Sequence, residues 1–173
     1  PLSALKLNKM FNKLYFICPT DNIESIINSK LNDNNFYITS LANSITLNYN
    51  FIRELYLIIE SKKIREITFV LSDDNRLIND ILENKDNKNI RSLDHLNLEI
   101  YSHKNFFKKE LTISEIRLYI ISYLLNQKKN ELKKITDSLG LKLDINAKVY
   151  NKEVNEFTKV KSKLINMEFF NLN

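Results

Sequence analysis

The chain has 173 residues with 43% hydrophobic and 27% charged, a mean hydropathy of −0.31 and a net charge of +5. That is the size of one domain whose core needs no disulfide or metal to hold it. A single glycine, Gly140, excludes the glycine-rich phosphate loops, each of which needs several glycines where the backbone approaches its ligand. A single cysteine, Cys18, excludes an intrachain disulfide and any paired-cysteine zinc site.

Residues 1–12 read as an N-terminal arm or extension and residues 13–173 as a single α/β domain. Leu14, Tyr15, Phe16 and Ile17 form an unbroken apolar run, the pattern of a strand buried on both faces. Thr20 or Asp21 can cap a helix through about residue 31, with Ile23, Ile26, Ile27 and Leu31 on one stripe. Residues 36–39 form a second strand. Asn50 caps a helix carrying Ile52, Leu55, Ile58 and Ile59, and residues 67–71 form a third buried strand. A helix with Leu77, Ile78, Ile81 and Leu82 follows. Strand and helix in alternation predict right-handed βαβ units and a parallel sheet.

The Asn/Lys/Asp-rich residues 84–97 read as a surface loop. Residues 113–139 read as one long or broken helix, and Gly140 stands where its C-terminus favours a left-handed residue. Residues 143–150 place Leu143, Ile145, Ala147 and Val149 on one face of a strand that closes the sheet edge. Residues 154–170 are amphipathic, a helix or an arm. There are no repeats and no Pro/Ser linkers. No run reaches the ~18 apolar residues of a membrane helix. The opening Pro1–Leu5 stretch lacks the apolar core of a secretory signal, and the lone Cys18 makes a reducing, cytoplasmic setting the expected one.

In an open parallel sheet, ligands bind beyond the carboxyl ends of the strands, where strand order reverses. Polar clusters stand there: Cys18, Thr20, Asp21 and Asn22 after the first strand, and Ser72, Asp73, Asp74 and Asn75 after the third. The second leads to Ser40, Asn43 and Ser44. If the first and third strands are neighbours, Cys18 meets residues 72–75. Cys18 matches no nucleophile motif, because a phosphatase C-x5-R meets Glu24 and a redox C-x-x-C meets Asp21. A buried core cysteine is the favoured reading. Asp21, Asp73 and Asp74 could hold Mg²⁺, but helix capping at a strand–helix turn accounts for Asp73 and Asp74 without a ligand. His95 and His103 read as surface residues.

Residues 103–163 hold 14 Lys/Arg against 7 Asp/Glu, densest at Lys108, Lys109, Lys128, Lys129, Lys133 and Lys134. Either this is a nucleic-acid surface or it is a solvated helix face. The scarcity of arginine and the absence of interleaved aromatics favour the face.

These segments, in this order, resemble the β-class carbonic anhydrases, a family with C-x-D-x-R after its first strand, an R-N-A-G-N-like segment after its second and H-x-x-C after its third. Cys18 matches the first zinc cysteine, while Thr20 and Asn22 replace the aspartate and arginine. Residues 36–43 look like the second segment with its final Asn43 retained. Ser72 stands in the zinc histidine's place and Asn75 in the second zinc cysteine's. Residues 114–125 resemble the helix before the family's last strand, and residues 143–157 that strand and its turn. The resemblance implies a mostly parallel open sheet with helices on both faces and a homodimer. It also implies that zinc, which needs three protein ligands to keep a reactive water, has lost its site. The expected protein is non-catalytic, without cofactor, a binding or scaffold subunit with a protein partner. The alternatives are a small-molecule or Mg²⁺-dependent enzyme using Cys18, Asp21 and Asp74, and a nucleic-acid-associated protein.

Overall fold

The run Leu14–Ile17 is apolar at every position because both sides of its strand are covered. In the computed structural model, which describes residues 12–31, 34–83, 93–107 and 111–160, this run is the core of β1 (Asn12–Ile17). It lies between two parallel neighbours, β2 (Asn34–Thr39) and β3 (Ile64–Ser72). The other strands are β4 (Asp144–Asn151), parallel to β3, and β5 (Glu156–Lys159), antiparallel to β4. The sheet order is β2-β1-β3-β4-β5. Chain order thus reverses at β1, so the carboxyl end of β1 opens between those of β2 and β3.

Alternate residues of the central strands serve two cores. Leu14, Phe16, Ile67, Phe69 and Leu71 join one cluster with buried residues of α2 (Tyr49–Lys62), α3 (Arg76–Leu82), α4 (Asp94–Phe107) and α5 (Ile113–Ser138). Tyr15, Ile17, Val70 and Tyr150 join another with Ile23 and with Ile27 of α1 (Glu24–Lys30). Helices therefore lie on both faces, as expected, but among the described residues four cover one face and a single two-turn helix the other. In-register Phe16 and Phe69 stack with ring centroids 4.6 Å apart, tying β1 to β3.

The three predicted parallel strands and the long helix are present. α5 opens with a capping box, in which Thr112 Oγ1 accepts from the Glu115 N–H and Glu115 Oε2 accepts from the Thr112 N–H. Gly140, at φ 70°, donates its N–H to the Asp137 carbonyl just past the last turn.

Five expectations are corrected. Asn48, not Asn50, caps α2, its Oδ1 accepting from the Phe51 N–H at 3.0 Å. Neither Thr20 nor Asp21 caps α1, because a 3₁₀ turn (Pro19–Asp21) intervenes and α1 begins only after Ile23. Residues 93–97 are not loop: α4 begins at Asp94, and Leu93, Leu96 and Ile100 bury its inner stripe. The strand over residues 143–150 is not the sheet edge, since β5 pairs outside it where residues 154–170 were read as helix or arm. His103 is half-buried rather than superficial, its ring centroid 4.4 Å from that of Tyr123. The expected arm, but for Asn12, lies outside the described residues, as do residues 84–92, Lys108 and Lys109. Among the described residues no helix is long and apolar enough to cross a membrane.

Candidate functional site

β1 and β3 are adjacent, so the polar segments that follow them meet. Each strand is buried up to its end, and the chain turns polar where hydrogen bonds must replace the sheet ladder. Cys18 is fully buried. Its Sγ accepts from the Ala42 N–H at 3.2 Å and lies 3.0 Å from Thr20 Oγ1. The cysteine therefore joins the end of β1 to the second 3₁₀ turn (Leu41–Asn43), which follows β2.

Asp21 joins the other side. Its Oδ2 accepts from the Ser72 N–H at 2.8 Å and its Oδ1 from Asn75 Nδ2 at 2.7 Å. Burial pushes the Asp21 carboxyl up to about 6, and the two N–H donors only partly offset this. Asn75 is fully buried, and its Oδ1 accepts from the Ile78 N–H at 3.1 Å. The cap of α3 is thus Asn75, not Asp73 or Asp74, which corrects the capping assignment.

The Ser72 hydroxyl donates to Asp74 Oδ1 at 2.5 Å, and Lys152 Nζ reaches Asp74 Oδ2 at 3.2 Å. Burial pushes the Asp74 carboxyl up, but the Ser72 hydroxyl and Lys152 outweigh it and hold the group below the usual carboxylate range. The Asp73 carboxylate accepts from the Lys152 N–H at 3.5 Å, and the Asp73 N–H donates to the Tyr150 carbonyl at 2.9 Å. Asn43 is buried, and its amide donates to the Val70 carbonyl at 2.9 Å. Asn22 stands apart, exposed in a left-handed conformation where the first 3₁₀ turn ends.

Of the nine residues singled out, Cys18, Thr20 and Asn43 gather around the second 3₁₀ turn. Asp21, Ser72, Asp73, Asp74 and Asn75 form one network, and Asn22 joins neither. Sequence reasoning missed Lys152, because its approach depends on β4 lying beside β3. It also missed the Ala42 N–H, since a backbone donor leaves no mark on residue type. Of the three carboxylates proposed for Mg²⁺, Asp21 and Asp74 have each oxygen engaged by a protein donor, and Asp73 Oδ1 accepts from the Lys152 N–H. Among the described residues no three His, Cys, Asp or Glu side chains gather as metal ligands. In the basic half, Lys128 pairs with Glu131 and Lys152 with Asp74.

Neither a protein-family model nor a curated protein matches the sequence. Solved structures do match the fold. A β-carbonic anhydrase of Aspergillus fumigatus, CafD, superposes with a TM-score of 0.70 at 17% identity, covering 90% of this chain and 92% of that one. One from Sordaria macrospora, described as tetrameric, gives 0.65 at 13% identity over 86% of this chain and 79% of its own. The Coccomyxa β-carbonic anhydrase, solved with acetazolamide, gives 0.66 at 11% identity over 92% and 76%. The fold is that of the β-carbonic anhydrases.

Proposed function

We propose that this chain is a non-catalytic carbonic-anhydrase-like protein that works in the cytoplasm as a binding or scaffold subunit. One observation carries the reading: the three positions that resemble the family's zinc ligands hold a thiol, a hydroxyl and an amide, each engaged in hydrogen bonds. Cys18 Sγ is bonded by the Ala42 N–H, the Ser72 hydroxyl by Asp74, and Asn75 on both sides by Asp21 and Ile78.

This donor set does not fit zinc. A structural or catalytic zinc site wants thiolate, imidazole or carboxylate at three or four corners. Here a neutral hydroxyl replaces the imidazole and an amide replaces the second thiolate, which removes both a soft donor and a negative charge. Of the carboxylates bonded to these positions, Asp21 already holds two N–H groups and Asp74 is held by the Ser72 hydroxyl and Lys152. The pair of Asp and Arg that the family places beside its reactive water is Thr20 and Asn22, and Thr20 Oγ1 lies against the cysteine sulfur. No step of CO₂ hydration follows from these residues.

Self-association belongs to the same proposal. The Sordaria relative is tetrameric by its description, and α2 exposes Tyr49, Tyr56 and Leu57 on its outer side. Apolar side chains grouped on one helix favour cover by another chain. A homodimer is the assembly proposed.

A stopped-flow CO₂ hydration assay tests the non-catalytic reading, with a rate indistinguishable from buffer as the expected result. A rate clearly above buffer overturns it. Light scattering should report twice the 20.5 kDa of one chain, and a monomer at micromolar concentration would remove the dimer from the proposal.

A further inference from the structure

Cys18, Ser72 and Asn75 are buried, but beside them the chain leaves a cleft of about 310 Å³ between the second 3₁₀ turn, α4 and α5. Its lining is mixed. Ala42, Leu96 and Leu124 supply apolar wall, while Asn43, Glu99 and Lys128 supply polar groups. The volume lies at the small end of the range for ligand clefts, which are largely apolar with a few convergent polar groups.

Two features of this cleft lack an internal explanation. First, Asn43 is buried and donates its amide to the Val70 carbonyl, yet its Oδ1 has no hydrogen-bond partner among the described residues. Buried side-chain acceptors are nearly always bonded, so an orphan calls for a partner. Secondly, Ala42 and Asn43 are both left-handed, at φ 46° and 55°. Asparagine tolerates this conformation but alanine rarely adopts it, and such backbone persists where the surroundings impose it, commonly at binding sites.

The charges in the wall choose the ligand. The Glu99 side chain is only 15% exposed, and the groups facing it are the Tyr123 hydroxyl, which bonds it, His95 Nδ1 at 3.8 Å, and His103, which burial holds below the usual imidazole range although Glu99 opposes this. The His95 side chain is 90% exposed, so water screens it. Lys128 is held by Glu131 at 3.1 Å, which neutralises the one lysine of the lining. An unpaired carbonyl oxygen and a largely buried carboxylate against a neutralised lysine favour a cation with several N–H donors over an anion.

We propose that this cleft binds a small molecule carrying a primary ammonium on a short apolar body, with Glu99 and the Asn43 carbonyl accepting from the ammonium and Leu96 and Leu124 covering the body. The inference stands apart from the reading of the strand-end network and does not require that reading to hold.

Two-dimensional NMR of the ¹⁵N-labelled full chain tests it with three probes of one body: n-propylammonium chloride, sodium propionate and n-propanol. Propylammonium should give saturable shifts at the Asn43 side-chain amide and at the backbone amides of Ala42, Ser44 and Glu99, while the other two probes give none. Glu99→Gln keeps an acceptor for Tyr123 but removes the charge, and should weaken propylammonium binding by about tenfold or more. Propionate or propanol saturating the same amides as tightly would overturn the proposal. So would the absence of any saturable shift in the wild-type protein, or undiminished binding in Glu99→Gln.

Discussion

The strand-end network and the neighbouring cleft share a wall at Ala42 and Asn43, yet they are satisfied to very different degrees. On the network side, Asp21, Ser72, Asp74 and Asn75 supply one another's partners, and the Ala42 N–H is taken up by the Cys18 sulfur. On the cleft side, an Asn43 oxygen has no partner among the described residues and a glutamate lines open space. On the reading proposed above, the fold keeps its architecture while its chemistry has shifted. Where side chains complete one another's hydrogen bonds, less capacity is left for a ligand, and on that reading the strand-reversal point, where α/β sheets usually bind, is a structural joint.

Both regions hang on the β1–β3 pair, so the largest expected effect comes from cutting it. Phe69→Ala removes a fully buried ring stacked on Phe16 and should lower stability by about 3–5 kcal/mol in urea unfolding. A loss under about 1 kcal/mol would mean that the strands are held mainly from elsewhere.

Protonation probes the network alone. Asp21 titrates at about 6 in the folded chain, above its ordinary 3.8. A raised carboxyl binds its proton more tightly when folded, so its contribution is fully present below about pH 4 and fades as pH rises through 6. Between pH 4 and pH 7 the wild type should therefore lose about 2–3 kcal/mol relative to Asp21→Asn, which cannot titrate there. Parallel stability profiles would show that the carboxyl is not desolvated as the geometry implies.

Asn75→Ala removes the α3 cap together with a bond to Asp21, and should cost about 2 kcal/mol by thermal unfolding. Lys152→Ala, by contrast, breaks a pair whose side chains are 67% and 45% exposed, and should change stability by less than about 1 kcal/mol. If Lys152 outweighed Asn75, the network would be anchored at its rim rather than between the strands.

The buried strands were legible because their covered positions are apolar without interruption, as in Leu14–Ile17, and the meeting of Cys18 with Ser72–Asn75 followed from strand adjacency. β5 was not legible: four residues with one half-buried side chain, Phe157, carry too little alternation to stand out. α4 was hidden because its core stripe, Leu93, Leu96 and Ile100, is diluted by Asp94, His95, Asn97 and Glu99. Within the site the residues were found but their bonds were not. Asp73 and Asp74 are good capping residues by type, yet the N-terminus of α3 sits one residue later, and Asn75 takes that role while it also binds Asp21. Such double use depends on approach across 54 positions of chain, which residue type does not encode.

The central claim is that the strand-end network has replaced a metal site. Its most direct test is the metal content of the full-length protein purified without chelator and then dialysed against micromolar zinc. The account predicts well under one zinc per chain, with no change in zinc content on Cys18→Ser. About one zinc per chain, lost in Cys18→Ser, would contradict it.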